Sequence, residues 1–105
     1  MQRAALDFRI NLFQLQEGDN ARELVQVALQ MLRITMWSMR SHDNAPYKAM
    51  RVALSVCEDC EKRCYVWSIM DTAKVDAGIG AILEVLPRLH RDDVARATRK
   101  VLLRG

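Results

Sequence analysis

Between Asn20 and Arg40 apolar residues recur three and four positions apart, the spacing that gathers them on one side of a helix turning about 100° per residue. Leu24, Val27, Ala28, Leu29, Met31, Leu32, Ile34, Thr35, Met36 and Met39 fill an arc wider than half the circumference, leaving Gln26, Gln30, Arg33 and Arg40 as a narrow polar strip. A stripe that wide predicts burial against more than one neighbour. Asn20 is the expected N-cap, with Glu23 three residues on completing a capping box. Trp37 falls on the polar strip, where a ring is covered either by a neighbouring loop or by a binding partner. With Met36 and Met39 beside it, the end of this helix is the expected interface anchor, since tryptophan is enriched in binding hot spots and methionine on adaptable surfaces.

Glycine, proline and short polar runs punctuate the rest of the chain at Gly18-Asp19-Asn20, Ser41 to Pro46, Gly78 with Gly80, and Pro87 to Asp93. Asn44 predicts a cap with Pro46 in the first turn after it, and nothing from Tyr47 to Ala77 is glycine or proline, so one long helix is expected there. Its seam runs Met50, Ala53, Cys57, Cys60, Cys64, Trp67 and is interrupted by Asp71. Gly78 suits a left-handed C-terminal cap, followed by a short helix over about Ile79 to Leu86. The last helix is expected from Asp92 or Asp93 to about Leu103. Val94, Ala97, Thr98, Val101 and Leu102 lie on its inner face, and Arg96, Arg99, Lys100 and Arg104 on its outer one. Acids at its start and bases at its end complement the helix dipole.

The first segment supports two expectations. Leu6, Phe8, Ile10 and Leu12 alternate with Asp7, Arg9 and Asn11, as in a strand; wound as a helix, they put apolar groups on two opposite sides. The helical surroundings and the further apolar residues Phe13 and Leu15 favour a helix. The alternative is an N-terminal strand that pairs with a second copy as an intermolecular ribbon, because a lone strand has no partner within this chain. Asp7, Arg9 and Asn11 would then face outward, and arginine and asparagine read guanine and adenine edges. In that form residues 6–40 resemble the ribbon-helix-helix repressors, in which a short strand precedes two helices. The gap from Leu12 to Asn20 and the long helix after it depart from that plan.

Composition bounds these alternatives. With 105 residues the chain is one domain, 1–105, and 50% hydrophobic residues with only four glycines and two prolines exclude both disorder and a turn-rich β-sandwich. The expected fold is all-α, a small bundle of four to five helices. The width of the apolar arc over 24–39 makes it dimeric in expectation. No apolar run reaches the roughly 18 residues of a membrane span, and the first residues lack the apolar core of a signal peptide, so a cytoplasmic protein is expected. The net charge of +3 is local: residues 1–44 balance five bases with five acids, whereas residues 88–105 set six bases against Asp92 and Asp93.

One cluster could carry chemistry. Cys57, Cys60 and Cys64 fall within about 60° of one another on a helix, and thiolates so placed could hold Zn(II) or Cu(I) with a fourth ligand from His42, His90 or another chain. The same residues continue an apolar seam, and that makes them core packing in the first instance. Nothing resembles a phosphate loop, a His-pair metal site or a nucleophile with its base, so neither an enzyme nor a cofactor is expected. The function these residues favour is non-enzymatic and regulatory. Its protein partner is engaged through an apolar surface at Met36, Trp37 and Met39 and an arginine-rich rim at Arg96, Arg99, Lys100 and Arg104, with the chain as a homodimer. A DNA-binding regulator is the first alternative and a thiolate metal binder through Cys57, Cys60 and Cys64 the second.

Overall fold

The computed structural model describes residues 1–13, 21–65 and 67–104, with the side chains of all but Phe13 and Arg104. The proposed cap at Asn20, the break at Gly18-Asp19 and Leu15 lie outside the described residues. Among those described there are five α-helices and no strand: α1 (Gln2–Phe13), α2 (Ala21–Ser38), α3 (Ala45–Lys62), α4 (Ile69–Val85) and α5 (Arg91–Arg104). None of them is long and apolar enough to cross a membrane.

Residues 6–12 are therefore helix, and the intermolecular ribbon with its likeness to ribbon-helix-helix repressors is not formed. A single strand would have left its backbone N–H and C=O groups unpaired, whereas a helix satisfies them internally. Winding also brings Ala5, Phe8 and Leu12 onto one buried stripe. The cost is the opposite side, where Leu6 and Ile10 stay 47% and 61% exposed. Arg9 ties α1 to α4 through a forked bond to Asp76, Nε to Oδ1 at 2.8 Å and Nη2 to Oδ2 at 3.1 Å.

α2 follows its periodicity: Val25, Ala28, Leu29, Met31, Leu32, Ile34, Thr35 and Met36 are buried. Val27, placed on the apolar arc, is exposed instead. The two buried hydroxyls are satisfied locally, Thr35 donating to the Met31 carbonyl and Ser38 to that of Ile34.

α3 begins as its sequence dictates, with the Asn44 side chain accepting from the Tyr47 N–H at 2.9 Å and proline in the first turn. It does not run on to Ala77. The chain turns through Cys64 and Tyr65, both left-handed at φ 57° and 64°, and the Tyr65 N–H closes on the Cys60 carbonyl at 2.8 Å. Such conformations cost non-glycine residues on the order of 1 kcal/mol each. A new helix starts at Ile69, capped by Ser68. The Ser68 hydroxyl accepts from the Asp71 N–H, and the Asp71 carboxylate accepts from the Ser68 N–H, each at 3.0 Å. Asp71 is thus the third residue of a capping box and not a fault in a seam.

Gly78 likewise does not cap a helix. It lies inside α4, buried, and the separate helix expected from Ile79 is the second half of α4. A Cβ on Gly78 would overlap that of Ala53 and stand 3.3 Å from the Ala49 carbonyl oxygen. Its missing side chain is what lets α3 and α4 meet at backbone range. Arg63 to Asp71 at 3.2 Å joins the same two helices near their connection, so they run antiparallel.

Two apolar clusters result. The large one draws on α1 through α4 and includes Phe8, Leu12, Leu32, Met50, Ala53, Cys57, Val75 and Ile82. The small one holds Ile34, Ala97 and Val101 with Val94 at its edge, and it is what seats α5 on α2.

Candidate functional site

α5 is aligned on α2 by contacts at three levels. Asp93 Oδ2 accepts from Arg40 Nε at 2.9 Å, Lys100 Nζ stands 5.1 Å from the Trp37 ring centroid, and Ala97 and Val101 cover Ile34. Rising numbers on α5 meet falling numbers on α2, so the pair is antiparallel. The helix start is set by the chain itself. A ring nitrogen of His90 accepts from the Asp92 N–H at 3.2 Å, which satisfies one of the first turn's orphan donors. Asp92 and Asp93 in that turn suit the positive end of the dipole. Because α5 packs chiefly on this one helix, its buried stripe is narrow. Leu102, expected on the inner face, is exposed, as is Leu103.

Below the end of α5 the polar strip of α2 is left open. Among the described residues, Gln26, Leu29, Gln30, Arg33 and Trp37 from α2, Glu61 from α3 and Val101 from α5 line a partly open groove of about 520 Å³. Trp37 is 41% exposed there, a large ring on an otherwise polar strip. Met36 and Met39, the other expected anchors, are both buried in the large cluster, Met36 on the core side of α2 and Met39 just past its end. The structure therefore separates Trp37 from them and groups it instead with Gln30, Arg33 and Lys100. Sequence reasoning had the strip itself but not its role as a wall. Glu61 and Val101, from other helices, join it only through tertiary packing.

The basic face divides in the same way. Asp93 is shared by Arg40, at 2.9 Å, and Arg96, at 3.5 Å, one carboxylate between two guanidinium groups. Lys100 rests on Trp37 in a cation–π contact. Arg99 and Arg33 make no ion pair among the described residues. The side chain of Arg104 lies outside the description.

The cysteines do not converge. Cys57 and Cys60 are buried on α3, while Cys64 sits beyond the helix end in the left-handed turn, exposed. Among the described residues no three His, Cys, Asp or Glu side chains come together as a metal site. Burial, reinforced by the neighbouring Cys60, Glu61 and Glu58, pushes the Cys57 thiol up to about 12, and burial raises Cys60 against the pull of Arg63. Both are held as thiols, which favours packing over ligation. Of the two histidines, His42 stacks on Tyr47 with ring centroids 4.6 Å apart, and Arg51 lies over the same tyrosine. No protein-family model, curated protein or solved structure matches the chain, so what it does must be read from the groove itself.

Proposed function

We propose that this chain is a non-enzymatic regulatory protein that holds a segment of a protein partner in the groove between α2 and α5, with Trp37 as the apolar anchor and the cations Arg33 and Lys100 beside it. The observation that carries this is the exposure of a tryptophan at the wall of an open groove, flanked by two glutamines that can bond a peptide backbone. Buried rings of this kind dominate binding energy once a partner excludes water from them. The same proposal includes pairing with a second copy. It is supported by α1, whose exposed Leu6 and Ile10 lie opposite its core stripe.

Panning a displayed library of random peptides against the protein tests the docking role. Peptides enriched on the native chain should lose most of their binding to a Trp37→Ala variant of unchanged helicity. Enrichment no greater than on an unrelated helical protein, or equal binding to the variant, contradicts it. Native mass spectrometry tests the pairing: a dimer that Ile10→Glu dissociates is expected, and a monomer at all concentrations contradicts it.

A further inference from the structure

We infer that two copies of this chain exchange α4 and α5, with α3 and α4 joining into one helix from Ala45 to Val85 that carries the last two helices onto the other copy. The inference is independent of the groove and of the pairing through α1 proposed above. Three observations carry it.

The first is strain at the joint. α3 and α4 are connected through Cys64 and Tyr65, consecutive left-handed residues at φ 57° and 64°, and the sequence from Tyr47 to Ala77 holds no glycine or proline. A side chain disfavours that conformation, and a short strained hinge is what exchange between copies relieves. Wound as helix, both residues return to the right-handed region that L-residues prefer.

The second is phase. Along one uninterrupted helix at 100° per residue, the buried Ala53, Cys57 and Cys60 of α3 and the buried Val75, Gly78 and Ile82 of α4 fall within about 60° of one another. A hairpin does not require this, since its turn can join two helices at any rotation. A single helix whose two halves pack on one antiparallel partner does require it.

The third is that exchange needs no new surface. Two such helices lying antiparallel set Gly78 of one copy against Ala53 of the other, as the closed chain already does within itself. The links from the first three helices to the last two, Arg9 to Asp76 and Arg40 to Asp93, re-form between copies in the same way. What the exchanged form gives up is the Ser68–Asp71 capping box. Because both forms share their packing, the joint sets the balance between them.

The test uses an Ile10→Glu background, which removes the α1 contact. The reduced protein is equilibrated in moderate urea, dilute and concentrated, and monomer is separated from dimer by size exclusion. Spin labels on encoded non-natural residues at the exposed positions Val52 and Ala77 then measure a distance within single chains diluted into unlabelled protein. In the dimer that distance should be about 37 Å, one continuous helix at 1.5 Å per residue, against less than about 20 Å for adjacent helices in the monomer. Ser68→Ala should raise the association constant about 25-fold, about fivefold for the cap in each chain. Cys64→Gly with Tyr65→Gly, which suits the left-handed turn and weakens the continuous helix, should lower it at least about tenfold. A dimer that keeps the short distance within each chain overturns the inference. So does a glycine variant that dimerises as well as the native turn, or the absence of dimer from both the native and the Ser68→Ala turns.

Discussion

Two glycines two positions apart on α4 show how far a single side chain's surroundings decide its role. A Cβ at Gly78 collides with the Cβ of Ala53 and stands 3.3 Å from the Ala49 carbonyl oxygen, so Gly78→Ala should cost about 1–3 kcal/mol by forcing α3 and α4 apart. A Cβ at Gly80 meets only the guanidinium of Arg9, at 3.5 Å, which is ordinary contact with the far end of a long side chain. Gly80→Ala should therefore stabilise by about 0.5–1 kcal/mol, the usual gain from removing glycine from a helix interior. Urea denaturation of the two variants checks the opposite signs. Cys57 makes a second residue-scale case. Unfolded, its thiol ionises near the ordinary 9.0; folded, only near 12. Below pH 9 both states keep the proton and nothing is lost. Between pH 9 and 12 ionisation favours the unfolded chain, so stability should fall as pH rises through that window. Cys57→Ala, though less stable at neutral pH, should show a shallower fall there; an unchanged slope would contradict the assignment.

At the scale of elements, the break between α3 and α4 is the place where the chain departs most from its apparent pattern. No glycine or proline marks it, because the left-handed positions are taken by Cys64 and Tyr65. The signal is present nonetheless as Ser68-x-x-Asp71, and it outweighs a seam whose periodicity would carry one helix through. Ser68→Ala removes one half of that box and should lower stability by about 1 kcal/mol, visible as a reduced melting temperature, with Ser68→Asp restoring most of it. A variant no less stable than the native chain would mean the turn is held by Arg63 and Asp71 alone. Periodicity carried α2, the start of α3 and the extent of α5, though not the inner-face place expected for Leu102. Over α1 it left strand and helix both open, because alternation over Leu6 to Leu12 is equally a helix with one apolar side too many, and the helical surroundings pointed to the helix that forms. Among the described residues α5 rests on a cluster of four side chains, separate from the main core. Its amides should exchange with solvent well before those of α3 and α4. Simultaneous exchange would show that the bundle opens as one unit.

For the whole molecule, the division into a large core and a small satellite is what creates the site. Trp37 and the basic residues were visible in the sequence as separate features on two helices. Which of those bases stay uncompensated was not, because that depends on Asp93 reaching Arg40 across 53 positions of chain. Periodicity did set Trp37 on the polar strip and Met36 and Met39 on the apolar arc; grouping the three as one surface overlooked that the arc is the side that packs into the core. The central claim is that a partner segment seats between α2 and α5. Hydrogen exchange of the protein with and without a peptide selected from the library tests it most directly. Added protection concentrated in residues 26–37 and 94–103 is the predicted result, and protection confined to the outer side of α1 or to the α3–α4 turn would contradict it.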